Sequence, residues 1–246
     1  MTLLQLERVT KTFGGLTAVQ PLDLALSEGE ILGLIGPNGA GKTTLFNLIT
    51  GVYQPTQGRV YFRGQDITRL GPTQRCKLGI ARTFQLVRLF PQMTALENVC
   101  VGRIYGREPA HSRRQAELEA LAILEKIGIA GQAHLPARSL TLVDRKRLEL
   151  ARALASHPVL LLLDELLAGL NPSEVRAALD LIKEIRASGT TIIMVEHLVK
   201  AVFSTSDRVV VLAFGEKIAE GIPRSIAENP HVIEAYLGKA HYAGTA

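Results

Sequence analysis

The stretch Gly36-Pro37-Asn38-Gly39-Ala40-Gly41-Lys42-Thr43-Thr44 satisfies the phosphate-loop pattern G-x-x-x-x-G-K-[ST] in full. It follows a continuous apolar run, Ile31-Leu32-Gly33-Leu34-Ile35, and opens another, Leu45-Phe46-Asn47-Leu48-Ile49. The first reads as a strand buried on both faces, the second as a helix. Strand, glycine loop and helix in that order allow few folds. The glycines let successive backbone N–H groups turn inward as an anion nest, and the helix N-terminus adds positive potential. Lys42 supplies a mobile cation for outer phosphates, and the Thr43 hydroxyl can ligate Mg²⁺.

A second run, Leu160-Leu161-Leu162-Leu163, ends in Asp164-Glu165. A buried strand closing on two acids places carboxylates at the carboxyl edge of a parallel sheet, where ligands bind. Asp164 is expected to hold Mg²⁺, directly or through water, and Glu165 to polarise an attacking water.

The rest of the chain supports a parallel α/β sheet. Buried runs at Val159–Leu163, Thr190–Val195 and Arg208–Leu212 read as strands, with the helix Val175–Ala187 between the first two. Near the N-terminus, Leu3–Val9 and Leu22–Leu26 alternate as half-exposed strands, and Arg59–Gly64 reads as a third. Between about Leu96 and Ser156 the period becomes helical. Leu118, Leu121, Ala122, Leu124 and Glu125 mark one helix, and Leu148, Ala151 and Leu154 another. The tail after Gly221-Ile222-Pro223 carries one predicted helix, Pro230–Leu237.

Composition removes other classes. Of 246 residues, 47% are apolar and 21% charged, which excludes a disordered chain. Two cysteines, Cys76 and Cys100, are too few for a disulfide scaffold. No window reaches the ~18 apolar residues of a membrane span, and the N-terminus lacks the pattern of a secretory signal. The net charge of +5 permits nucleic acid, but Arg113-Arg114 and Arg145-Lys146-Arg147 are short and lack interleaved aromatics, so no nucleic acid is expected. His111, His134, His157, His231 and His241 are scattered and read as structural or solvent-facing.

With both phosphate motifs in place, the chain resembles the ATP-binding subunits of ABC transporters over essentially its full length. That resemblance implies a single ATP-binding domain over 1–246. Its nucleotide-binding core would span 1–85 and 158–220, with an antiparallel N-terminal β subdomain. A helical subdomain would be inserted at 86–157, and 221–246 would form a tail. It also implies site roles. Phe13 would stack on adenine. Gln85, in Arg82-Thr83-Phe84-Gln85, would contact Mg²⁺ and water. Gly169, Leu170 and Asn171, within Ala168–Pro172, would touch a second subunit. His197, in Met194-Val195-Glu196-His197, would read the γ-phosphate. The stretch Leu86–Asn98 would dock permease helices. Its apolar members Leu86, Leu89, Phe90 and Met93 fit a helix core equally well.

A closer resemblance is to the branched-chain amino-acid uptake ATPases, in particular the longer of two sister ATPases that pair as a heterodimer. It rests on Phe13–Val19, Gly79–Gln85, Leu89-Phe90, Thr94–Val99, Ala168–Pro172 and Val232–Gly238. The implied setting is the cytoplasmic face of the inner membrane. There, two multi-span permeases would hold the chain, and an external solute-binding protein would deliver the solute.

One landmark departs from the family pattern. Where the signature loop normally reads Leu-Ser-Gly-Gly-Gln, this chain has Leu140-Thr141-Leu142-Val143-Asp144. Thr141 retains a hydroxyl and can cap the following helix, and Asp144 completes a capping-box-like spacing. Val143 adds bulk where glycine allows close approach, and Asp144 brings a negative charge that Arg145, Lys146 and Arg147 can offset. The expected consequence is an asymmetric pair, in which this chain lends its partner's nucleotide a weaker signature.

Overall fold

The computed structural model describes residues 1–237, so Gly238 of the tail motif and His241 lie outside the described residues. In the first half of the chain the elements are β1 (Thr2–Phe13), β2 (Leu16–Ser27), β3 (Ile31–Ile35), α1 (Lys42–Ile49), β4 (Gln57–Phe62), β5 (Gln65–Asp66), α2 (Pro72–Lys77), β6 (Ile80–Arg82), α3 (Ala95–Tyr105) and α4 (Arg113–Ile127). There follow α5 (Leu142–Ala155), β7 (Leu160–Asp164), α6 (Pro172–Ala187), β8 (Thr191–Val195), α7 (Val199–Thr205), β9 (Arg208–Ala213), β10 (Glu216–Gly221), α8 (Pro223–Ala227) and α9 (Pro230–Leu237). They form two compact units, Met1–Gly71 with the described residues from Thr191 onward, and Pro72–Thr190.

In the first unit, β2, β1, β4 and β5 make an antiparallel sheet in that order. Its register places Leu4 opposite Leu26 and Phe62, and Leu6 opposite Leu24 and Val60, so two apolar rows cross three strands. All of these leucines and their partners are buried. β3 lies between β8 and β9, parallel to both, and β10 returns antiparallel to β9. Every residue of β3 and of β8 is buried, as the unbroken apolar runs require.

In the second unit, β6 and β7 pair in parallel, with Ile80 opposite Leu160 and Arg82 opposite Leu162. Helices α3, α4 and α5 pack against one another. Their starts are chemically defined. Thr94 and Glu97 form a capping box on α3, Ser112 caps α4, and Asn171, Pro172 and Glu174 start α6 in the same way. Gly128 ends α4 in the left-handed conformation.

The predicted face of α4 is corrected. Ala116, Ala120, Leu124 and Ile127 are buried, whereas Leu118 is 61% exposed and Ala122 and Glu125 are also exposed. Small side chains at the crossing let α3 and α5 approach α4 closely, so the alanines face inward and the bulkier Leu118 points out. The segment of residues 86–93 is irregular, and Leu86 and Phe90 are exposed, which removes the helix-core alternative for them. Among its described residues the tail holds two helices, α8 and α9, where one was expected, because Pro223 starts a short helix at its first position.

Candidate active site

In the first unit the glycine loop joins β3 to α1. Gly39 and Gly41 have positive φ, and Gly41 is the N-cap of α1. No side chain caps that helix, and no acid stands in its first turn. A helix N-terminus that carries neither a side-chain cap nor an acid is the kind that accepts an anion. Lys42 is buried, and its Nζ donates to the carbonyls of Gly36 (2.7 Å) and Pro37 (3.0 Å). The loop is anchored from behind, since Gly215 N–H donates to Ala40 O (3.2 Å) and Gln20 N–H donates to Gly215 O (2.9 Å). Asn38, Gly39 and Thr43 are exposed, Pro37 and Thr44 are half-buried, and Ala40 is buried. The exposed Thr43 hydroxyl and the first-turn amides suit a phosphate with its hard cation.

Phe13, at the end of β1, is 41% exposed. Tyr53 meets its ring edge-on at 5.2 Å, and Lys11 Nζ lies 5.0 Å from its centroid. An open aromatic surface with a cation beside it is a stacking platform for a flat base. His197 follows β8 and is exposed, directly after the buried Glu196.

The second unit holds the acids. Asp164 ends β7 and is buried, its Oδ2 2.5 Å from Arg82 Nη2, and its amide donates to Thr83 Oγ1 (3.1 Å). Glu165 takes φ 51°, a left-handed conformation unusual for a residue with a side chain. Such strain persists only where neighbours over-determine it, and it clusters at functional sites. Gln85 Nε2 donates to Glu165 Oε2 at 2.8 Å, fixing which way the carboxylate faces. Two residues 80 positions apart are thus brought together.

The signature stretch starts α5. Leu140 is buried, Leu142 is exposed, Val143 is half-buried, and Thr141 Oγ1 accepts the Asp144 amide (3.1 Å). The capping box is only half made. The Asp144 carboxylate accepts from Thr141 Oγ1 (2.8 Å) and from Gln132 Nε2 (3.4 Å), not from the Thr141 amide. Aspartate is one methylene shorter than the glutamate of that motif, which explains the missing half. Of the three basic neighbours expected to offset Asp144, Arg147 lies 3.7 Å from its carboxylate. Arg145 donates to Arg138 O, and Lys146 donates to the carbonyls of Glu165, Leu166 and Ala168. In the Ala168–Pro172 stretch, Gly169 is open and left-handed, and Leu170 N–H closes on Leu167 O (3.2 Å). Asn171 Oδ1 accepts from the Ser173 and Glu174 amides (both 3.0 Å), so it caps α6.

Three side chains around these acids escaped sequence reasoning: Arg82, Lys146 and Glu149. Arg82 opens the Arg82-Thr83-Phe84-Gln85 stretch, so its nearness to Gln85 in the sequence is the signal that marks it. Nothing in the spacing of Lys146 or Glu149 pointed to their partners.

Comparison with known proteins gives the family. Residues 19–168 match the ABC transporter family, and residues 216–242 match the branched-chain amino acid ATP-binding cassette transporter family. The chain is 44% identical over 251 residues to the high-affinity branched-chain amino acid transport ATP-binding protein LivG of Escherichia coli, covering 97% of this chain and 98% of LivG. Its fold superposes on the ADP conformation of an ATP-binding cassette of an ABC transporter with a TM-score of 0.87 and 32% identity, over 97% and 100% of the two chains. A bacterial ABC transporter cassette solved as a dimer matches with a TM-score of 0.83 and 29% identity, over 90% and 99% of the two chains.

Proposed function

The chain belongs to the ABC transporter family, and from that premise we propose that it is the ATP-hydrolysing subunit of an importer for branched-chain amino acids or related amides. The observation that carries the hydrolytic part is the Gln85–Glu165 contact. It holds a carboxylate in a strained turn directly after Asp164. A carboxylate so oriented can take a proton from an attacking water. The Gly36–Thr44 loop would bind the phosphates, Lys42 would move from its loop carbonyls to the outer ones, and Phe13 would stack on the base. Thr43, Gln85 and Asp164 would hold Mg²⁺, whose charge would offset that of the phosphates. His197 would read the γ-phosphate.

The match over residues 216–242 and the likeness to LivG support the solute class. No helix among the described residues is long and apolar enough to cross a membrane. In this reading two multi-span permeases hold the chain at the cytoplasmic face of the inner membrane, and an external binding protein supplies the solute. The helical insertion, residues 86–157, faces the permeases through the exposed Leu86 and Phe90. The nucleotide-binding core is 1–85 with 158–220, and 221–246 is its tail. ATP would clamp this subunit to a sister ATPase through Gly169–Asn171, and hydrolysis would release them, shifting the permeases between two states.

The altered signature supports a sister chain over a second copy as the partner. Val143 and the exposed Leu142 stand where close backbone approach to a partner's phosphate is needed, and Asp144 adds negative charge that one arginine only partly meets. The test is ATP turnover of the complete complex, before and after Leu142 and Val143 are both changed to glycine. Turnover is expected to rise about two- to tenfold, at most ~1.4 kcal/mol of barrier. Unchanged turnover contradicts the asymmetry. ATP binding with no turnover in the intact complex favours instead a regulatory subunit, the reading that the altered signature also motivates.

A further inference from the structure

Helix α5 carries two buried charged side chains that none of the roles above uses. Lys146 and Glu149 are 9% and 3% exposed, three residues apart and therefore neighbours on one helix face. Charges are buried only where hydrogen bonds compensate them, and here backbone groups supply several of those bonds. Glu149 Oε2 accepts the Phe84 N–H (3.3 Å) and its Oε1 accepts the Arg88 N–H (2.9 Å), so the carboxylate brackets Gln85 from both sides. Lys146 Nζ donates to the carbonyls of Glu165 (3.0 Å), Leu166 (3.2 Å) and Ala168 (2.5 Å), the turn that begins at Glu165. Arg152, one turn further along α5, stands 3.8 Å from Glu149. Burial pushes the Glu149 carboxyl above its ordinary range, while the two amides and the nearby Arg152 and Lys146 oppose that rise.

One helix therefore grips both loops whose side chains meet in the 2.8 Å Gln85–Glu165 contact. We propose that Glu149 and Lys146 are positioning residues for hydrolysis, holding Gln85 against Glu165 by fixing the two backbones from α5. The proposal rests on the hydrolytic roles given above to Gln85 and Glu165. Neither Glu149 nor Lys146 touches substrate in it; each acts through a loop.

The test is a double-mutant cycle on the complete transporter complex, measuring kcat and KM for ATP. Glu149→Gln keeps the shape but turns an amide group toward one of the two N–H donors. It is expected to lower kcat about tenfold, the rate equivalent of one charge-assisted hydrogen bond, with KM for ATP within about twofold. In a Gln85→Ala background, which is expected to be slow but measurable, Glu149→Gln should cost less than about twofold more. Residues that act through one contact are not additive. Lys146→Met is the second, independent arm and should give the same pattern, with Lys146→Arg recovering part of the loss. Equal fold-losses with and without Gln85, or an unchanged kcat, overturn the proposal. Glu165→Gln, which lies off α5, separates this from failure of the parent reading: if that variant still turns over ATP, the hydrolytic roles themselves are wrong.

Discussion

Replacing Glu165 by glutamine is expected to remove nearly all ATP hydrolysis and leave ATP binding in place. The substitution keeps the side chain's length and its acceptor for Gln85 Nε2, now a carbonyl oxygen. It removes only the basicity that takes the proton from water. General-base catalysis of this kind is worth about 10²–10⁴ in rate, so kcat of the complex should fall by that factor. Nucleotide affinity should change by less than about threefold, because binding energy common to ground and transition states is untouched. Phosphate release and equilibrium nucleotide binding, measured on the same preparation, check both halves. Retained turnover would move the general base elsewhere. Lost binding would mean that Glu165 serves the structure of its turn rather than the reaction.

The second large effect is on stability. A Cβ at Gly36 would lie 2.1 Å from the Leu212 carbonyl oxygen and 3.1 Å from Ala40 Cβ, at a φ of +157°. The obstacle is backbone, and the strand it belongs to pairs with β3 at Ile35–Val211. Nothing there can rotate aside. Gly36→Ala must push β9 from β3 at the sheet's centre, at a cost of about 3–5 kcal/mol. The expected fall in Tm is about 6–20 °C. Gly39→Ala is the matched control. It has a φ of +78° but no atom within 4 Å, so it bears conformational strain alone, about 1 kcal/mol. Calorimetry of the two variants separates close approach from left-handed strain. Equal losses would mean that φ, not the Leu212 carbonyl, requires glycine at position 36.

The contrast between these residues shows what a sequence carries openly. β3, its glycine loop and α1 were legible because local rules agree there: a two-sided apolar run, glycines, then a helix without a cap. The end of β7 was legible for a similar reason, since two acids after four leucines can only face the strand's mouth. The predicted face of α4 failed because hydrophobic periodicity weighs Leu118 above Ala116 and Ala120, while close helix packing selects the small residues. β6 has three residues and β10 is half polar, so neither presents a strand pattern. The α5 grip was hidden for a deeper reason. Glu149 reaches the backbones of Phe84 and Arg88 more than 60 positions away, and backbone partners leave no mark on residue type. A lysine and a glutamate three apart on a helix look like an ordinary solvated pair until the fold buries them.

The signature loop sits between these cases. Its departure from the family pattern was visible at once, and so was the N-cap role of Thr141. The fate of the Asp144 charge was not, because it depends on where Arg145 and Lys146 point. Lys146 donates to the Glu165 segment, and Arg147 stands near Asp144.

The measurement that bears most directly on the proposed function is affinity purification of the full chain from detergent-solubilised native membranes, with identification of what accompanies it. The expected result is two multi-span permeases and a second, shorter ATPase recovered together with it. Recovery from the soluble fraction alone, or in company with nucleic acid, would contradict the transporter reading and leave an ATP-binding protein with a different client.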